Sequence, residues 1–115
     1  MHVSLTTVQF ERPCVSLTPI WCGRINDVEV NVTRDSGSTS CVVRTDVVRE
    51  AQKTGSSYLC MLIDGTIKRF PMANVDLDTP YLSGKVQALC MDDPVHDVII
   101  GNVPGAKRSA VELYT

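Results

Sequence analysis

An apolar run, Tyr58-Leu59-Cys60-Met61-Leu62-Ile63, and the segment Thr66 to Phe70 are separated by Asp64-Gly65, and no other feature constrains the fold of this chain as tightly. Asp-Gly between apolar runs predicts a tight β-hairpin, because both residues accept the positive φ that a right-twisted strand pair needs in its turn. A protruding hairpin needs a β framework, and the flanking sequence supplies one. Val28, Val30 and Val32 alternate with Glu29 and Asn31, so a period of two predicts a half-buried strand over Ile25 to Val32. Cys14 to Trp21 predicts its neighbour, with Cys22-Gly23-Arg24 as the connection. Ser40 to Val43 is short and β-branched, and Met72 to Asp78 and Lys85 to Met91 alternate on either side of a Pro80 and Gly84 loop. Asp97 to Gly101 is the kind of apolar run that fills a sheet interior. Asp46 to Gln52 suits one or two helical turns with Thr45 as N-cap, ended by Gly55-Ser56-Ser57. Met1 to Pro13 reads as a terminal strand or a loose arm. The sum is an all-β chain of about seven or eight short strands, closed or nearly closed into a small barrel or a sandwich, with one short helix at most.

At 115 residues the chain fits a single domain. Eleven Lys and Arg against thirteen Asp and Glu, with Lys107-Arg108 as the one adjacent basic pair, give no footprint for a phosphate backbone, so nucleic acid is not an expected partner. No apolar run approaches the ~20 residues that cross a bilayer, and the first residues carry no secretory signal pattern. A cytoplasmic protein without a membrane partner is expected. Its five widely spaced cysteines, Cys14, Cys22, Cys41, Cys60 and Cys90, then fit reduced and mostly buried thiols, with a Cys14/Cys22 disulfide as the alternative. His2 and His96 are isolated and no Cys-x-x-Cys occurs, so neither a metal nor a cofactor is expected. Asn31-Val32-Thr33 matches a glycosylation acceptor, but with no secretory route expected the match is not expected to be used.

Asp35-Ser36-Gly37-Ser38-Thr39 directly follows a predicted strand, where a loop can lift a carboxylate out of a sheet. Alone, such a triplet arises by chance in roughly one in twenty chains of this size. An Asx turn explains it more simply than a catalytic site does. Order and spacing add weight: strand, Asp-Ser-Gly, apolar strand, hairpin, further strands, then Asp97-Val98-Ile99-Ile100-Gly101. Over about Ile25 to Ala106 this succession resembles the retropepsin group of aspartic proteases. Arg34-Asp35-Ser36-Gly37, Leu62-Ile63-Asp64-Gly65-Thr66, Asp78-Thr79-Pro80-Tyr81, Gly84-Lys85-Val86 and Asp97 to Ala106 resemble, more closely, the protease segment of animal Ty3/Gypsy-type Gag-Pol polyproteins, or of a domesticated relative.

The resemblance implies an aspartic endopeptidase that processes a polyprotein and is active as a homodimer. Asp35 would be the catalytic carboxylate, with Ser36 and Gly37 bracing the pair of loops across the twofold axis. It further implies that Ser38 leaves room for the substrate backbone, that Val42, Ile63 and Ile99 line apolar subsites, and that Tyr58 to Met72 is a flap whose tip, Asp64-Gly65, meets the peptide. Core packing explains Val42 and Ile99 equally well. The acid/base chemistry points the same way, since two carboxylates must share one proton and this chain offers one suitable loop, so a twofold axis has to bring the second. A module with the same fold that binds peptides or dimerises without cutting is the alternative. An unrelated small β-barrel binding domain is a third reading, in which the order of these segments is coincidence.

Three departures from the resembled pattern stand out. Arg34 occupies a position that is usually apolar, Asn102-Val103-Pro104-Gly105 replaces an Arg-containing helical start, and the flap tip is not glycine-rich. Arg34 is expected to take over the missing ion-pairing role, and its charge to act on Asp35.

Overall fold

The computed structural model describes residues 6–8, 20–62 and 64–109. Eight strands join in one sheet: β1 (Thr6–Val8), β2 (Trp21–Ile25), β3 (Val28–Arg34), β4 (Cys41–Arg44), β5 (Lys53–Leu62), β6 (Ile67–Asp78), β7 (Ser83–Met91) and β8 (Val98–Ile100). Their spatial order is β1-β5-β6-β2-β3-β8-β4-β7, and β7 pairs back onto β6. The all-β expectation therefore holds, with the strands from β6 round to β7 forming a closed ring. β5 and β1 extend from it as an arm, β1 running parallel to Cys60–Leu62. Closure depends on the length of β6. Along one edge it pairs first with β5 and then, at Leu77 and Asp78, with β2, while Met72–Asp78 pairs with β7 along the other.

The turn between β2 and β3 lies at Asn26-Asp27, and the expected connection Cys22-Gly23-Arg24 is inside β2. Asn26 and Asp27 have φ of 51° and 67°, the positive pair that a two-residue hairpin demands. Gly23 is there for space, since a Cβ would meet Val32 Cγ2 at 2.8 Å and the Asp78 carbonyl at 3.1 Å. Most of the expected strand over Cys14 to Trp21 lies outside the described residues, as do Ile63, Cys14 and His2.

The expected helix over Asp46 to Gln52 is instead two single 3-10 turns, Thr45–Val47 and Glu50–Gln52, and Thr45 is the first residue inside its turn. Val48 and Arg49 between them are extended. Two adjacent β-branched residues, Val47 and Val48, disfavour a continuous helix. The buried Asn26 side chain fastens the segment, donating to Val47 O (2.9 Å) and Gln52 Oε1 (2.7 Å) and accepting from Gln52 Nε2 (2.7 Å). Gly55 does not end an element but bulges within β5 at φ 80°, where the register shifts. Thr66 to Phe70 and Met72 to Asp78, expected as separate strands, fall together in the continuous β6, which begins at Ile67. Pro71 is tolerated because it lies just outside the β6–β7 ladder, which begins at Met72.

Among the described residues, two buried clusters form the core. The larger draws on every strand of the ring, including Ile25, Val32, Val43, Val75, Ala88 and Val98. The smaller comprises Val42, Cys60, Met72, Leu89, Met91 and Ile99, with Tyr58 and Phe70 of the β5–β6 hairpin packed against it. Alternation explains the division: Cys41 and Val43 join the first cluster and Val42 the second, as do Val98 and Ile100 against Ile99. With both faces buried, Cys41 to Val43 of β4 and the whole of β8 read as unbroken apolar runs.

Candidate active site

The Asp35 loop joins β3 to β4, yet these strands do not pair with each other. β8 lies between them, parallel to β3 and antiparallel to β4. The connection must therefore cross over the end of β8, and that crossing fixes it. The Asp35 amide donates to Ile100 O (2.9 Å), and the Asn102 amide donates to Ser38 O (2.8 Å). Gly101 is the contact point, where a Cβ would stand 2.2 Å from the Ser40 carbonyl oxygen and 2.8 Å from that of Ser38. At the far end of β8, Asp97 secures both neighbours. Its amide and carboxylate exchange hydrogen bonds with Asn31 of β3 (2.8 and 3.1 Å), while its carboxylate pairs with Arg44 of β4.

Within the loop, Asp35 is only 7% exposed. Its Oδ1 accepts from the Gly37 amide (2.9 Å) and its carbonyl from the Ser38 amide (3.1 Å). This is the Asx turn foreseen as the simpler explanation of the triplet, and it also holds the carboxylate in a fixed direction. Ser36 and Gly37 are exposed at the apex. Ser38 is fully buried, its Oγ donating to Ser40 O (2.8 Å) and accepting from the Ser40 amide (3.3 Å), so it closes the loop on its own backbone. Cys41 begins the next strand. Burial raises its thiol pKa, against smaller opposing effects of a hydrogen bond with the Gly101 backbone and the Arg34 charge.

Arg34 grips the segment after β8. Its Nε donates to Lys107 O (2.8 Å), Nη1 to Ile100 O (3.2 Å) and Nη2 to Asn102 Oδ1 (2.7 Å). Asn102 in turn donates from Nδ2 to Ser36 O (2.9 Å). These four contacts were not legible in the chain, whose only hint was an Arg beside the Asp and an Asn after Ile-Ile-Gly.

The hairpin tip is closed by Leu62 N–H to Thr66 O (2.7 Å) and Gly65 N–H to Leu62 O (2.9 Å), with Gly65 at φ 86°. Asp64 Oδ1 accepts from the Thr66 amide (2.8 Å), and hydrogen bonding from Thr66 holds this carboxyl below the usual aspartate range. Asp64 and Gly65 are exposed. Val42 and Ile99 are 0% and 2% exposed, covered in the smaller cluster by hairpin residues. Among the described residues no group of three or more His, Cys, Asp or Glu could hold a metal ion. An open groove lined by Tyr81, Leu82, Val86 and Val103 includes none of the predicted site residues and no carboxylate, so it offers no second aspartate to pair with Asp35. No helix among the described residues is long and apolar enough to cross a membrane.

No protein-family model, no curated protein and no solved structure matches the chain. What can be said of its chemistry comes from its own residues.

Proposed function

We propose that the chain is one protomer of a retropepsin-like aspartic endopeptidase, active as a homodimer in which Asp35 of each copy contributes one carboxylate. One observation carries the reading: an almost buried carboxylate is held in a loop pinned at Asp35 to the end of β8 and at Ser38 to Asn102 just beyond it, with the Ser36-Gly37 apex left exposed. One carboxylate cannot serve as general acid and general base together. Two carboxylates about 3 Å apart share a proton, because both cannot ionise, so one activates water while the other protonates the leaving amine. An isologous pairing through the exposed apices would bring the second Asp35 to the first. The β5–β6 hairpin is the element to cover an extended peptide and exclude water. Its lifting would uncover Val42 and Ile99 as apolar subsites, which suits cleavage of a polyprotein between apolar residues.

The test is to incubate the purified protein with a mixed peptide library from acidic to neutral pH, with and without pepstatin, alongside Asp35→Asn. Pepstatin-sensitive cleavage that disappears in Asp35→Asn is the expected result. Cleavage that survives the substitution refutes the catalytic role, and a stable dimer that cuts nothing supports a peptide-binding module instead.

A further inference from the structure

The contacts of Arg34 and Asn102 converge on the loop apex, and their donor and acceptor logic runs in one direction only. A guanidinium carries five N–H donors and no acceptor, so Arg34 Nη2 can engage Asn102 only through its Oδ1. That fixes which way the carboxamide faces and turns Nδ2 onto the Ser36 carbonyl. Arg34 itself cannot swing away freely, because Nε and Nη1 are held by the carbonyls of Lys107 and Ile100. Ile100 O accepts at the same time from the Asp35 amide, so cation and catalytic loop share an acceptor. The Asn102 backbone holds Ser38 while its side chain holds Ser36, which leaves the residues between and before them little freedom.

We propose that Arg34 and Asn102 are positioning residues for the Asp35 loop: Arg34 orients the Asn102 carboxamide, and Asn102 sets the height and tilt of the Ser36-Gly37 apex against the Asp35 carboxylate. The proposal rests on the aspartic protease reading for its catalytic consequence, though not for its geometry. Because displacement of a reacting group by about 1 Å can cost about a hundredfold in rate, a lost apex hydrogen bond acts on turnover more than on peptide binding.

Asn102→Asp separates positioning from mere support. The carboxylate keeps an acceptor for Arg34 and adds an ion pair, but it has no donor for Ser36 O. Arg34→Lys and Arg34→Leu complete the set, Lys retaining the charge without the fork that reaches three acceptors. For each variant the readouts are thermal midpoint, dimer content, kcat and KM on one peptide, and hydrogen exchange of the peptide spanning residues 35–40. Asn102→Asp is expected to keep the wild-type midpoint and dimer content, to lower kcat about tenfold or more with KM nearly unchanged, and to speed exchange in 35–40 alone. Arg34→Lys should recover part of the activity lost in Arg34→Leu. Wild-type kcat in Asn102→Asp, or unchanged exchange of the loop, overturns the proposal. Should the wild-type protein cut no peptide, the protease reading fails by itself, and loop exchange still decides whether the two residues position the loop.

Discussion

Gly101 carries a backbone constraint that no larger residue can meet. An added methyl group would overlap two carbonyl oxygens, both fixed by the crossing of the Asp35 loop over β8, and neither can move without opening that crossing. Gly101→Ala should destabilise the protein by about 3 kcal/mol or more, read as a shift of the urea midpoint. At the hairpin tip, Asp64 gives a pH dependence of known sign. Its folded pKa lies below the unfolded value, because the ionised form is hydrogen-bonded by Thr66. Its contribution is fully present above the ordinary aspartate range and fades as pH falls through the lowered folded value. Exchange protection of the Thr66 amide should therefore hold at neutral pH and drop in acid, a loss that Asp64→Asn removes by weakening the bond at every pH. Local signals such as Asp64-Gly65 and Asp35-Ser36-Gly37 were legible because their partners lie within two residues. Asn26 was not, since the groups that make it a corner post, Val47 and Gln52, lie 21 and 26 positions away.

Elements are legible where alternation is strong and obscure where one residue serves a neighbouring strand. Gly23 resembles a turn residue in the chain, yet it marks close approach of Val32 and Asp78 to the middle of β2. The true turn, Asn26-Asp27, has two non-glycine residues at positive φ, which Asn and Asp tolerate at some cost. Asp27→Gly should relieve that cost at the second position and stabilise the protein by about 0.5–1 kcal/mol, measurable as a rise in midpoint with unchanged m-value. The same substitution one position earlier should destabilise it, since Asn26→Gly would strip Val47 O and Gln52 of their partner. The insertion of β8 between β3 and β4 was outside the reach of periodicity, because a run of three buried residues looks the same beside any neighbour. Asp97 specifies it, by reciprocal bonds to Asn31 and a charge pair with Arg44.

At the scale of the whole molecule, the closed ring buries one apolar face of its strands and the β5–β6 hairpin covers much of the other, so the thiols differ sharply in access. Cys41, Cys60 and Cys90 are buried free thiols whose pKa values desolvation raises, whereas Cys22 is exposed. A thiol reagent at neutral pH should modify Cys22 quickly and those three slowly until denaturant is added, as peptide mapping would show. The proposed protease function requires a second copy of the chain, because one Asp35 alone would offer half of an acid/base pair. Mixing wild-type protein with Asp35→Asn in rising proportion tests it most directly. If the site is shared and subunits exchange freely, only dimers with two intact Asp35 residues cut, so an equal mixture should retain about a quarter of the wild-type activity at fixed total protein. Retention of about half, falling in simple proportion to the wild-type fraction, would mean that each chain works alone and would contradict the shared site.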